Sequence, residues 1–225
     1  MGRLIIIPTP IGNLDDITIR AVKVLNRIDI LLAEDKRTTN KLLNHFSINV
    51  KTVSYHQYNE HKNLQKCIDL IKNNELVGLV SDAGTPSISD PGFLLVRECI
   101  KNEIIVECLP GPTALIPALV KSGFSCENFI FYGFIPAKKG RKSFLLKISQ
   151  EEKTMIFYES PHRLLRTLND FKETFKKQRC YSVTKELSKI YEETKNGKIS
   201  ELISYYERKK IKGEFVIVVN KLSDN

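Results

Sequence analysis

The sequence predicts an α/β protein made of two α/β domains, the first with a mainly parallel sheet. Three observations support this. Short runs rich in aliphatic and β-branched residues (LIII, IDILLAE, LVGLV, IIVECL) alternate with longer segments whose apolar residues recur every three or four positions, the mark of βαβ units. The runs are continuously apolar, as strands covered on both faces are. The same alternation starts afresh after Gly123, and a chain of 225 residues has room for two small domains. The division is drawn at residue 117, giving domains 1–117 and 118–225, with no Ser/Gly-rich linker between them.

Leu4–Ile7 reads as the first buried strand, followed by the loop PTPIGNLDD. A helix over 18–26 places Ile19, Val22 and Leu25 at helical spacing, with Asp15 and Asp16 near the start, where the helix dipole favours acids. Residues 28–34 form a second strand, 38–46 a helix with Leu42, Leu43 and Phe46 on one side, and 51–55 a short extended segment. Between Glu60 and Asn73, Leu64, Cys67, Ile68 and Ile71 draw an apolar stripe along an amphipathic helix. LVGLV (76–80), a helix over 92–101 and IIVECL (104–109) repeat the theme. Asp90 and Pro91 suit the N-cap and first position of the helix there. A further helix opens from Gly111 and Pro112. The second series is FIFYGF (129–134), a helix over 142–148, TMIFY (154–158), a helix over 161–171, CYSVTK (180–185), a helix over 200–209 and EFVIVV (214–219).

Lys and Arg total 35 against 26 acids, a net charge of +9. That balance suits a polyanionic partner such as RNA, or reflects a genome rich in Lys, Asn and Ile. Five cysteines, widely spaced and without a CxxC pair, read as reduced, mostly core residues. Four scattered His and no clustered carboxylates give no metal-site pattern. No apolar run approaches the ~20 residues of a membrane span, and RLIIIP is too short for a signal peptide, so a cytoplasmic protein without a membrane partner is expected.

Ligands of open parallel sheets bind outside the carboxyl ends of the strands. Three conspicuous loops sit there: PTPIGNLDD, AEDKRTT (33–39) and SDAGTPSISDPG (81–92). Phosphate sites present glycine-rich backbone N–H groups, yet the first loop carries Pro8 and Pro10, which have none, and no GxGxxG or GxxxxGK[ST] occurs. Loops offering carbonyls and carboxylates suit a neutral or cationic ligand better than a pyrophosphate.

The segments PTPIGNLDDITIRA, LLAEDKRTT, SYHQYNE, LVSDAGTPSISDPG, LPGPTAL, FYGFIP, FYESPHR, TKELSKIYEE and GEFVIVV, in this order, resemble the ribosomal RNA small subunit methyltransferase I family, a branch of the tetrapyrrole methylase superfamily. The match runs from Leu4 to Val219. It implies two α/β domains of tetrapyrrole methylase type, the second with a mixed sheet, and a cleft between them for S-adenosylmethionine (SAM). It further implies 2′-O-methylation of a cytidine in the decoding region of 16S rRNA within the small ribosomal subunit, without a metal, by a homodimer. Pro8, Asp82, Ala83, Gly84, Thr85, Pro86, Ser87, Thr113 and Ala114 fall where the family contacts SAM, although the Thr113 hydroxyl could instead satisfy a free amide at a helix start. The chain has AEDKRT for the usual AEDTRT and HQYNE for HEHNE, while Asp35, Arg37, His56, Asn59 and Glu60 keep the pattern. Many members continue past the GEF strand into a small basic tail, so the RNA grip that tail supplies is expected to come from elsewhere here or to be weaker.

Methyl transfer to a ribose hydroxyl requires that proton to be removed. Asp35, His56, Glu60, Glu159 and His162 are the candidates. Arg37 and Arg163 suit bidentate phosphate contact, or surface ion pairs with Glu34 or Glu159. Lys138, Lys139, Arg141 and Lys142 in KKGRK form the densest basic run, either a solvated loop or a phosphate-tracking patch. KKQR (176–179) and RKKIK (208–212) read as exposed helix ends. Tyr55, Tyr58 and Tyr132 are either core residues or stacking platforms for bases. Two other functions fit the same residues: methylation of a tetrapyrrole or other small molecule, and non-catalytic RNA or ribosome binding.

Overall fold

A computed structural model describes residues 2–175 and 178–222. The chain divides into two compact units, Met1–Thr113 and Ala114–Asn225. Residue 117, where the sequence division was drawn, lies inside a helix, Leu115–Ser122.

The first unit holds β1 (Arg3–Ile6), β2 (Ile30–Ala33), β3 (Lys51–Ser54), β4 (Leu76–Val80) and β5 (Ile105–Cys108) in one parallel sheet of order β3-β2-β4-β1-β5. Successive strand residues point to opposite faces. Ile5, Ile7, Leu31 and Ala33 pack under α1 (Ile19–Leu25) and α2 (Lys36–His45), through Ala21, Leu25 and Leu43. Leu4, Ile6, Leu32, Val77 and Leu79 pack under α3 (Glu60–Lys72) and α4 (Phe93–Lys101), through Cys67, Ile68, Ile71, Leu95 and Cys99. Helices on both faces explain why the central strands β2 and β4 carry no polar side chain.

The second unit runs α5 (Leu115–Ser122), β6 (Phe129–Phe134), α6 (Arg141–Ile148), β7 (Thr154–Glu159), α7 (Leu164–Thr174), β8 (Cys180–Lys185), β9 (Glu193–Lys198), α8 (Ile199–Glu207) and β10 (Phe215–Val219). Its sheet has the order β6-β7-β10-β8-β9, with only β6 and β7 parallel. This is the mixed sheet expected of the second domain. Phe171 of α7 lies at its centre, fully buried, with Phe157, Phe175 and Tyr181 at ring-centroid distances of 5.3, 4.8 and 6.1 Å.

The structure corrects the sequence reading in five places. β9 was not anticipated: ETKNGK has no apolar alternation because it is an edge strand, paired only with β8. α2 starts at Lys36, two residues earlier than expected, because the Asp35 side chain accepts the Arg37 amide at 2.8 Å and caps it. α4 starts at Phe93 after Gly92, so Asp90 and Pro91 are not its cap and first residue. Gly92 has φ +134, and a Cβ there would lie 2.6 Å from Ser87 Oγ. Of the cysteines, only Cys67 and Cys99 are buried; burial pushes their thiols up to about 11 and about 12, which keeps them unreactive. Cys108, Cys126 and Cys180 are exposed. Lys176 and Lys177 lie outside the described residues. Arg179, read as part of an exposed helix end, is buried, with its guanidinium donating to the Asn220 and Ser149 carbonyls at 3.0 and 3.3 Å. No helix among the described residues is long and apolar enough to cross a membrane.

Phe171→Ala should cost about 3–5 kcal/mol, the usual range for emptying a packed aromatic site. A fall in the denaturation midpoint with an unchanged m-value checks this; a loss below 1 kcal/mol would mean the aromatic cluster collapses into the space.

Candidate functional site

At the carboxyl ends of the first unit's strands, three loops lock onto one another. The chain leaves β1 through Ile7, whose amide donates to the Leu79 carbonyl at 2.9 Å, and reaches the buried Pro8 and Thr9. Thr9 and Gly84 exchange both backbone hydrogen bonds at 2.9 Å, and Thr9 Oγ1 donates to the Ser81 carbonyl at 3.1 Å. Thr85 Oγ1 donates to the Pro112 carbonyl at 3.0 Å. Gly111 lies so close to Pro8 that a Cβ there would stand 2.6 Å from the Pro8 Cβ. The loops after β1, β4 and β5 therefore hold one geometry. Within the β4 loop, Ser87 and Ser89 adopt left-handed φ of 75° and 65°, and Ser87 Oγ is buried without a hydrogen-bond partner. Strain of this kind collects at binding sites.

The loops after β2 and β4 are joined by a second device. The Asp35 amide donates to Asp82 Oδ1 at 3.1 Å, and the Asp82 amide donates to Glu34 Oε2 at 3.2 Å. Burial raises the Glu34 and Asp82 carboxyls above their ordinary values. Asp35 goes the other way: hydrogen bonds from the Arg37 side chain, the closest at 2.7 Å, hold it down at about 2. Beside them lies an open depression of about 430 Å³ lined by Glu34, Asp35, Lys36, Ser54, His56 and Tyr58. His56 Nδ1 is buried there without a partner, while the His56 amide is held by Asn59 Oδ1 at 2.8 Å. The amides of Thr9, Asp35, Asp82 and Gly84 are all taken by internal acceptors. A rim short of free amides and rich in carboxylates suits cations, hydroxyls and amines better than phosphate.

The expected site residues divide accordingly. Pro8, Asp82, Ala83, Gly84, Thr85, Pro86 and Ser87 share these interlocked loops, with Asp35, Arg37 and His56 nearby. Glu60 begins α3, its amide donating to the His56 carbonyl at 2.9 Å. Thr113 ends the first unit; Ala114 begins the second and precedes α5, which has no side-chain cap. Arg37 is exposed but paired with Asp35, not with Glu34. Tyr55 is fully buried, Tyr132 stacks on Phe157 at 5.4 Å, and Tyr58 is 95 % exposed.

In the second unit, Lys138, Lys139, Lys142 and His162 are exposed. Arg141 is not: it is 4 % exposed, and its guanidinium is turned inward onto Asp170, Thr167 and the Pro136 carbonyl, so it is not presented to a phosphate. Glu159 is likewise closed in, holding Arg163, Thr167 and the Ser160 amide, which leaves it no access to a reacting hydroxyl. Glu34 was passed over in the sequence, although it stands first after an apolar strand, where ligand-facing side chains begin. Among the described residues no group of three or more His, Cys, Asp or Glu is arranged to hold a metal ion.

Residues 3–203 match the family of Tetrapyrrole (Corrin/Porphyrin) Methylases. A ribosomal RNA small subunit methyltransferase I of Thermotoga maritima is 44% identical over 220 residues, covering 98% of this chain and 99% of the relative. The protein of that name from Vibrio cholerae is 44% identical over 224 residues, covering 98% of this chain and 78% of the relative. Among solved structures, a diphthine synthase superposes with a TM-score of 0.74 at 11% identity, covering 97% of this chain and 89% of the other. A uroporphyrin-III C-methyltransferase from Thermus thermophilus complexed with S-adenosyl homocysteine gives 0.69 at 14% identity, covering 97% of each. At such identities these two structures speak for the fold.

Arg37→Ala should let the Asp35 carboxyl rise from about 2 toward the ordinary ~3.9. In the wild type the folded value lies below the unfolded one, so the pair's stabilisation is present at neutral pH and fades as pH falls from about 4 to about 2. Carboxyl-resolved NMR titration checks this; an unmoved Asp35 would show that Arg37 does not set its ionisation.

Proposed function

The chain belongs to the tetrapyrrole methylase family and, within it, to the ribosomal RNA small subunit methyltransferase I group, and on that premise we propose that it methylates the 2′-hydroxyl of a cytidine in the decoding region of 16S rRNA, using SAM. Methyltransferase activity on small-subunit rRNA is what the full-length relatives carry in their names. The observation that supports SAM is the donor-poor, carboxylate-rich rim formed by Glu34, Asp35 and Asp82. SAM, when bound, supplies a methyl group on a positively charged sulfur, a ribose with two hydroxyls and no phosphate. Such a ligand suits loops that offer carboxylates and carbonyls and have already used their amides.

In this reading Asp82 faces the donor's hydroxyls or positive centre. Pro8, Ala83, Gly84, Thr85, Pro86, Ser87, Thr113 and Ala114 enclose the remainder. The ribose hydroxyl of the RNA must lose a proton. Asp35, at about 2 and paired with Arg37, is too weak a base, and Glu159 is enclosed. His56 is better suited, with a buried Nδ1 that has no partner and a Glu34 carboxylate near enough to be stabilised by the imidazole's charge. A positioned base contributes roughly 10²–10⁴-fold. Exposed Lys138, Lys139 and Lys142 suit the phosphate backbone. The protein works in the cytoplasm as a homodimer.

Purified protein with tritiated SAM should label ribose in naked small subunits; label on a base, or on a tetrapyrrole alone, would overturn the RNA reading. Asp82→Ala should weaken SAM binding at least tenfold in calorimetry with the thermal midpoint retained, and unchanged affinity would reduce Asp82 to a loop brace. His56→Ala should lower kcat by about 10²-fold or more while SAM affinity stays within twofold. A kcat within threefold of wild type would remove His56 from proton transfer.

A further inference from the structure

Between β6 and α6 the backbone of Ile135, Pro136 and Ala137 presents three consecutive carbonyls, and each accepts from a different arginine. Arg163 Nη1 donates to Ile135 at 3.1 Å, Arg141 Nη1 to Pro136 at 3.1 Å and Arg166 Nη1 to Ala137 at 3.2 Å. The first two arginines converge on one carboxylate. Arg163 Nη2 lies 2.8 Å from Glu159 Oε1, and Arg141 Nη2 donates at 2.8 Å to Thr167 Oγ1, which donates at 2.6 Å to Glu159 Oε2. The Glu159 side chain has no exposure at all, and Asp170 at 2.6 Å from Arg141 balances the second positive charge. Immediately after the clamped carbonyls come Lys138, Lys139 and Lys142, exposed and without an ion pair among the described residues.

We infer that Glu159 is a positioning residue: with Arg141, Arg163 and Arg166 it clamps the 135–137 backbone so that Lys138, Lys139 and Lys142 form a preformed platform for RNA phosphates. This rests on the proposed action on RNA. The clamp matters because a loop ordered only on binding charges its conformational entropy, about 1–2 kcal/mol per residue, against affinity. A loop already ordered does not. Glu159→Gln keeps the shape but places an amide NH₂ either on Thr167 Oγ1, already receiving Arg141, or on Arg163 and the Ser160 amide. Turned toward Arg163 and the Ser160 amide, donor meets donor; turned toward Thr167, the amide donates to a hydroxyl whose own hydrogen must swing away, and either way the charge that holds Arg163 is lost.

The test uses the full chain and naked small-subunit RNA. Glu159→Gln should raise the KM for RNA about tenfold, with kcat and SAM affinity within twofold, and should speed amide exchange across 137–142. Its slope of log K against log salt should become shallower, each lost phosphate contact being worth ~0.7–0.9. Combined with K138A/K139A, the further loss should be less than twofold, because both changes remove the same contacts. Should Glu159→Gln not fold, Arg166→Ala carries the test, since Arg166 is exposed and holds only Ala137; it should raise the KM for RNA two- to threefold, again non-additively with the lysines. Wild-type protein that binds no RNA would sink the function and the platform together. Wild-type RNA binding that these variants leave unchanged, or losses that simply add to those of the lysines, would sink the platform alone.

Discussion

Two amides and two carboxylates tie the end of β2 to the end of β4: Asp35 N–H to Asp82, and Asp82 N–H to Glu34. The tie exists because these strands are parallel neighbours, about 4.8 Å apart, so their carboxyl ends emerge side by side. Three acids gathered here would repel one another, and burial penalises two of them further. An amide donated to a carboxylate offsets that cost, as does the Arg37 pair on Asp35. The same bonds decide what the rim can recognise. Each amide given to a loop carboxylate is withdrawn from any phosphate, while Glu34 and Asp82 each accept an amide on only one oxygen.

The interlock of the β1, β4 and β5 loops builds on this arrangement. Thr9 and Gly84 form a two-residue bridge beyond the sheet, and Gly111 lets the β5 loop touch Pro8. The prolines serve twice, removing donors and fixing φ. The second unit solves a related problem with opposite charge. A buried arginine is tolerable only when its donors are filled. Arg141 has each of its three nitrogens bonded, to one carboxylate, one hydroxyl and one carbonyl. Both units thus use ionised side chains to fix loop backbone, carboxylates on amides in the first and guanidinium groups on carbonyls in the second.

Much of this was legible in the residues. Buried strands announce themselves by continuous apolar runs, and β8 at Cys180–Lys185 falls where CYSVTK placed it. Pro8, Pro10 and the missing glycine pattern pointed to a ligand without phosphate. What escaped depended on tertiary partners. ETKNGK carries no strand pattern because neither face of an edge hairpin strand needs to be apolar. Arg141 looked like its neighbours in KKGRK; only the approach of α7, bringing Thr167 and Asp170, turns it inward. Glu159 stands at a strand end, as a ligand-facing acid would, but Arg163 and Thr167 lie over it one and two turns into the following segment. Helix starts erred for a local reason: the Asp35 cap starts α2 at Lys36, well before its apolar stripe, while a positive-φ glycine displaces Asp90 from the start of α4.

The acidic rim also constrains where RNA can be gripped. A chain of net charge +9 attracts a polyanion as a whole, yet Glu34, Asp35 and Asp82 make their own neighbourhood repulsive to phosphate at short range, where unlike bulk charge they are not screened away. A nucleotide entering that neighbourhood would therefore present hydroxyls and amines, with its phosphates directed elsewhere. On the proposed action on RNA, basic groups far from the rim in sequence, such as Lys138, Lys139 and Lys142, are the ones suited to supply the attraction, at less entropic cost if they are held in place beforehand. In that proposal, loop order in the second unit and carboxylate placement in the first serve different parts of one substrate, phosphates and hydroxyls.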